Sequence, residues 1–172
     1  MISTLYSNKW VSLMQVTDPE NGVNGYTFSQ ETRCQGRIVL VLPFKTEPFR
    51  QYLLKYEITP CWSMKHVLSG VTGGYEGGNI EDDAVREVLE ETGYTVTRDE
   101  LIPLGVCYAS KSADTIYSLY AVDLTGKEQG DALGDGEELE QFSEWVSADK
   151  LLSSMDAQVH VAYNRMTARF GR

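Results

Sequence analysis

The run Arg37-Ile38-Val39-Leu40-Val41-Leu42-Pro43 constrains the fold more than any other stretch of the chain. Its β-branched and leucine residues follow one another without polar alternation, as in a strand buried on both faces. Residues 51–59 form a second strand candidate, closed by Pro60. Residues 101–108 and 115–123 read as strands, and 143–147 as a short strand around Trp145, a core anchor. Residues 80–92 read as a helix. Asn79 is placed to cap it, Glu81, Asp82 and Asp83 fill its first turn, and Gly93 sits where a left-handed residue ends a helix. Residues 149–169 read as mostly helical. Strands, helix, strands, helix is the order of an α/β sandwich around a mixed sheet. Ahead of it, 9–16 and 25–32 read as strands on either side of a turn cluster at 17–22. The expected division is a small N-terminal β extension, 1–34, and a main domain, 35–172.

A length of 172 residues suits this plan. Fifteen Lys and Arg against 25 Asp and Glu leave a formal charge of −10. That field opposes phosphate neutralisation, so neither a nucleic acid nor an anionic membrane is expected as a partner. A small anionic substrate remains compatible where a cation stands between it and the protein. Cys34, Cys61 and Cys107 are far apart and show no metal-ligand spacing, and they read as reduced small hydrophobes. Residues 1–10 lack the pattern of a signal peptide, and no stretch approaches the roughly 20 apolar residues of a membrane span, so a cytoplasmic protein is expected.

The helix carries the chemistry. On a 100° wheel, Val85, Val88 and Leu89 cluster on one side, which is expected to face the core. Glu87, Glu90 and Glu91 cluster on the other, at i, i+3 and i+4. Carboxylates at this spacing repel by a few tenths of a kcal/mol per pair, and acids in the last turns oppose the helix dipole. Arg86 offsets part of this through Glu90. One reading is a solvated charged face. The other is a hard-cation site, since Mg²⁺ prefers carboxylate oxygens and bridges to substrate phosphates. The approach to the helix, 70–79, holds five glycines in ten residues and reads as a loop that lets backbone come close to a ligand.

Arg86-Glu87-Val88-Leu89-Glu90-Glu91-Thr92-Gly93-Tyr94 resembles the second half of the Nudix box, Arg-Glu-aliphatic-x-Glu-Glu-x-Gly followed by an aliphatic or aromatic residue. The match is complete over these nine positions. Upstream the chain departs from the pattern: the expected Gly and Glu fall on Thr72 and Gly78. Gly73 and Gly74 are then the loop glycines, and Glu76 stands in for the first glutamate or that glutamate is absent. The strand order before the box, the N-terminal extension, the acidic stretch at 134–140 and Trp145-Val146 resemble ADP-ribose pyrophosphatase-like members. The resemblance spans roughly residues 35–170.

It implies a Nudix-type α/β/α sandwich and a pyrophosphohydrolase that cleaves a nucleoside diphosphate linked to another moiety, ADP-ribose or nucleotide-sugar-like. It implies that Glu87, Glu90 and Glu91 ligate Mg²⁺ or Mn²⁺, that a carbonyl of Gly73 or Gly74 adds a ligand, and that Arg86 orients the carboxylates. The general base would be a box glutamate, with Glu87 and Glu91 as candidates, or one from the late loop, with Glu137 ahead of Glu138. Arg50, Lys55 and Lys111 are candidates for the phosphates, and Trp62, Tyr52 and Tyr108 for stacking on a base. The extension resembles one used to form a homodimer. Gly78 motivates a second reading, a Nudix-scaffold nucleotide-binding or regulatory module with weak catalysis.

Overall fold

The computed structural model describes residues 1–133 and 142–171. Ten strands and three α-helices are built from these. Strands β1 (Ile2–Ser7), β2 (Val11–Asp18) and β3 (Val23–Glu31) make an antiparallel three-stranded sheet. The main sheet contains β4 (Arg37–Lys45), β5 (Gln51–Ile58), β6 (His66–Ser69), β7 (Val71–Gly74), β8 (Ile102–Tyr108), β9 (Ile116–Asp123) and β10 (Phe142–Val146), in the order β10-β5-β4-β9-β8. The sheet is mixed, because β4 runs parallel to β9 and antiparallel to β5 and β7. β6 pairs with β5 and β7 with β4.

The helices α1 (Ile80–Thr92), α2 (Ala148–Leu151) and α3 (Ala157–Phe170) complete the sandwich. Strand alternation explains the layers. Val39 and Val41 of β4 pack with Ala84 and Val88 of α1, while Leu40 and Leu42 pack with Val159, Ala162 and Met166 of α3. The apolar run of β4 is therefore buried on both sides, as its composition predicts. No helix among the described residues is long and apolar enough to cross a membrane.

Three expectations change. Residues 71–74 of the expected 70–79 loop form a strand, β7, directly after β6, and only the last residues before α1 are irregular. β1 is an additional strand. The third change concerns the orientation of α1. Its buried residues are Asp83, Ala84, Glu87, Val88, Glu91 and Thr92, while Val85 and Leu89 are only half-buried. The carboxylates of Glu87 and Glu91 thus turn toward the sheet instead of away from it. Burial of a charge is decided by its partners: Glu91 meets Lys55 of β5 and Thr72 N–H of β7, and Glu87 meets its neighbour Arg86.

Asp156 fixes the junction of β6 and β7. One of its oxygens caps α3 by accepting from Gln158 N–H at 2.9 Å, and the other accepts from Gly70 N–H at 3.2 Å. Gly70 is packed so closely that an added Cβ would meet Leu40 Cδ1 at 2.9 Å and Val159 Cγ2 at 3.1 Å. A side chain there would push β7, and with it the site, away from the core.

Candidate active site

The position of α1 is set at both ends. Asn79 accepts from Glu81 N–H at 3.1 Å, and Gly93, at φ 75°, returns its N–H to Leu89 O at 2.9 Å. Between these caps the helix crosses β7 and places two glutamates on it. Thr72 N–H donates to Glu91 Oε2 at 3.1 Å. The Glu87 side chain lies directly over Gly73, where any Cβ would overlap its Oε1, Cδ and Cγ. Gly73 is a glycine because a carboxylate occupies the space of its side chain.

Arg86 gathers the remaining acids. Its Nη2 lies 2.8 Å from Glu87 Oε1, 3.3 Å from Glu76 Oε1 and 3.6 Å from Asp83 Oδ1, and its Nη1 donates to Glu90 Oε2 at 2.6 Å. Glu91 Oε1 accepts from the buried ammonium of Lys55, which also lies 3.2 Å from Glu57 Oε2. Six carboxylates thus surround two cations. Burial pushes the Glu87 carboxyl up to about 7; Arg86 and Lys55 oppose the shift and Glu90 adds to it. For Lys55 burial acts downward, but Glu91 and Glu57 outweigh it and hold the ammonium above its ordinary range.

Of these residues, Lys55, Glu76, Arg86, Glu87 and Glu91 line a cavity of about 850 Å³, large enough for a nucleotide derivative, while Glu57, Asp83 and Glu90 do not line it. Thr72 and Gly73 of β7 line it as well. Trp10, Glu31 and Arg33 reach it from the three-stranded sheet and the turn that follows. The Arg33 guanidinium lies 5.2 Å from the centre of the Trp10 ring, and Lys9 Nζ 4.5 Å from it. Ser29 N–H donates to Ser112 O at 2.9 Å, and Gln30 Nε2 to Asp114 Oδ2 at 2.7 Å, which ties the extension to the main body.

The chemical kind of the donors suits a hard divalent cation. They are carboxylate oxygens in excess over the cations, and the glycine at 73 leaves room for Glu87 against the strand. Among the described residues no three acidic, thiol or imidazole groups converge at ligand spacing; Arg86 and Lys55 stand among the carboxylates instead.

In sequence, residues 34–170 match the family model described as NUDIX domain. The chain belongs to the Nudix family. It is a Nudix hydrolase, acting on phosphoric anhydride bonds. Among solved structures its fold is similar to that of an ADP compounds hydrolase, with a TM-score of 0.71 and 16% identity over 99% of this chain and 91% of that one. No curated protein matches it in sequence.

Within this Nudix domain the structure brings together Glu87, Glu90, Glu91, Arg86, Gly73 and Glu76. Gly78, at φ 80°, belongs to the turn before α1, with nothing within 4 Å of an added Cβ. Arg50 lies elsewhere, in a smaller cavity with Tyr52 and Tyr163, donating to Gly171 O at 2.7 Å. Trp62 is exposed and does not line the main cavity. Tyr52 is core, and Tyr108 is exposed. Glu137 and Glu138 fall outside the described residues. Tyr75, from the glycine-rich stretch after β7, lines the cavity too, and Trp10 and Arg33 join it without any local pattern to mark them, since the meeting of two sheets puts them there.

Proposed function

We propose that this pyrophosphohydrolase cleaves a nucleoside diphosphate linked to a second moiety, ADP-ribose or nucleotide-sugar-like, with Mg²⁺ or Mn²⁺. The products are a nucleoside monophosphate and a phosphorylated partner. One observation carries the reading: a single cavity is lined both by the buried carboxylates of Glu87 and Glu91 and by the exposed Trp10 with the Arg33 guanidinium beside its ring. Pyrophosphate chemistry suits the carboxylates, and a base or a second phosphate suits Trp10 and Arg33.

Nudix enzymes generally use divalent metal ions, and Glu87, Glu90 and Glu91, with a carbonyl of Gly73, are the residues that would hold one here. When bound, such an ion neutralises the pyrophosphate and lowers the pKa of a water. The chain's own residues do the rest. Arg86 fixes the orientation of Glu87 and Glu90. Thr72 N–H and Lys55 fix that of Glu91. An ionised glutamate, Glu87 or Glu91 of the helix or Glu137 or Glu138 of the acidic stretch 134–140, takes the proton of the attacking water. The water oxygen then bonds to phosphorus as the bridging P–O bond breaks. Arg33 is placed to contact phosphate and Trp10 to stack.

The test is a screen of nucleoside diphosphate derivatives with Mg²⁺ and Mn²⁺, read as phosphate released by a coupled phosphatase. Turnover of ADP-ribose or nucleotide sugars that vanishes in Glu90→Gln and Glu91→Gln supports the reading, and unchanged turnover in those variants refutes it. The exposed apolar side chains of the extension, Ile2, Leu5, Tyr6 and Leu13, support a second proposal, that two copies associate through this sheet. Light scattering on the purified protein decides it: a monomer mass at working concentration excludes the homodimer.

A further inference from the structure

Lys55 does not fit its strand. Alternation along β5 puts Leu53 and Lys55 on the face that α1 covers, so an ammonium sits beside a packed apolar layer, at the wall of the acidic cavity. The residue is 4% exposed. A buried ammonium is costly unless it is paired, and a strand that only had to fill this layer would carry leucine or methionine. Here the pairing is elaborate. Ser69, which faces Lys55 across the β5–β6 ladder, donates its hydroxyl to Glu57 Oε1 at 2.6 Å. Glu57 Oε2 lies 3.2 Å from Lys55 Nζ, Lys55 binds Glu91 Oε1, and Glu91 Oε2 takes Thr72 N–H. Five residues from four elements thus converge to hold one charge against one box glutamate.

A role in gripping substrate phosphate does not suit this arrangement. The ammonium is buried and already serves two carboxylates, and the nearer of them is Glu91, which the Thr72 amide anchors. The arrangement acts on Glu91 itself.

We propose that Lys55 is a built-in counter-cation that holds Glu91 in place in the metal-free site and competes with the divalent ion for that carboxylate, so that it sets the site's metal affinity. This rests on the reading of Glu87, Glu90 and Glu91 as metal ligands. Lys55 is a positioning residue, acting through Glu91. It keeps a buried acid neutralised when the metal has left, and it weakens the hold on the metal when it is present. A site with this device binds its ion more loosely than the same carboxylates would alone.

Mn²⁺ binding to the full-length protein, followed by water-proton relaxation and calorimetry without substrate, tests this in the wild type, Lys55→Met and Lys55→Arg. Without metal, Lys55→Met melts at a lower temperature, because Glu91 loses its buried partner. It binds Mn²⁺ on the order of tenfold more tightly, since a unit charge in contact with a ligand carboxylate matters even at high effective dielectric. Saturating Mn²⁺ then raises its melting temperature by more than it raises that of the wild type. Lys55→Arg keeps the charge and stays within about threefold of wild-type affinity. Mn²⁺ affinity that is unchanged or weaker in Lys55→Met overturns the proposal and leaves Lys55 as a packing residue. A wild type that binds no Mn²⁺ overturns the metal reading, and the proposal with it. If Lys55→Met does not fold, Glu57→Gln takes its place, at a half-buried side chain. Lys55 then has Glu91 as its acid partner and Mn²⁺ binding weakens about threefold; unchanged or tighter binding overturns the proposal.

Discussion

Replacing Gly73 with alanine adds one methyl group at the point where strand and helix meet. The backbone tolerates it, since Gly73 is not among the residues with positive φ, and alanine in a strand is favoured over glycine by roughly 0.5–1 kcal/mol. The side chain above does not. The new Cβ would sit inside Glu87 Oε1, Cδ and Cγ, at separations below the 3.0 Å that real Cβ atoms respect. To restore ordinary contact the carboxylate must retreat by more than about 1 Å, and misplacement on that scale costs about 100-fold in rate. The structure therefore predicts a split result for Gly73→Ala. The melting temperature moves by only a few degrees, because the displaced group is the end of a flexible chain, while kcat/KM falls about 100-fold. The assay is nucleoside monophosphate release from ADP-ribose at saturating Mg²⁺, alongside thermal melting of the same preparation. Activity within threefold of the wild type would refute the placement of Glu87 over Gly73 as the working geometry.

Other outcomes follow from the same arrangement. Glu87 titrates near 7 when folded and near 4.5 when unfolded, so its contribution to metal-free stability is full below pH 4.5 and is lost as pH rises through about 7. Below that pH, Mn²⁺ affinity should fall about tenfold per pH unit as Glu87 protonates, and Glu87→Gln should flatten the profile; a flat wild-type profile between pH 5 and 7 contradicts this. Gly93→Ala puts a Cβ 2.9 Å from the Gly130 carbonyl carbon and 3.1 Å from Ala132 N at φ 75°, and should lower the melting temperature by about 5 °C or more, measured by calorimetry. Asn79→Ala should cost about 1 kcal/mol in a denaturant titration by removing the cap on Glu81 N–H.

Much of this fold is legible because local chemistry and tertiary structure agree. Asn79 and Gly93 bracket α1 in the sequence as they do in space, and the apolar run of β4 announces two covered faces. Legibility fails where glycine has a tertiary cause. Gly70 and Gly73 look like loop residues, yet both lie in or beside strands and are glycines because Leu40, Val159 and Glu87 fill their side-chain space. It fails again at the acidic helix. A wheel sorts residues by polarity and so sends Glu87 and Glu91 to solvent, whereas Lys55 and Thr72 N–H, far off in sequence, make it favourable to bury Glu91. The box names the carboxylates; only the sheet explains how charges of one sign can face inward. Trp10 and Arg33 belong to the same class, since they reach the cavity through the contact of the extension with residues 112–114.

The central claim is that the carboxylates of α1, gathered by Arg86 and Lys55, run a metal-dependent cleavage of a nucleoside diphosphate derivative. The most direct measurement is AMP formation from ADP-ribose by wild type and Glu91→Gln at saturating Mg²⁺, followed by chromatography, with a metal-free control. The wild type is expected to give AMP and ribose 5-phosphate in equal amounts, and none without metal, with a loss of at least about 1,000-fold in the variant. Equal rates in the two proteins, or AMP release in the presence of a chelator, would contradict it.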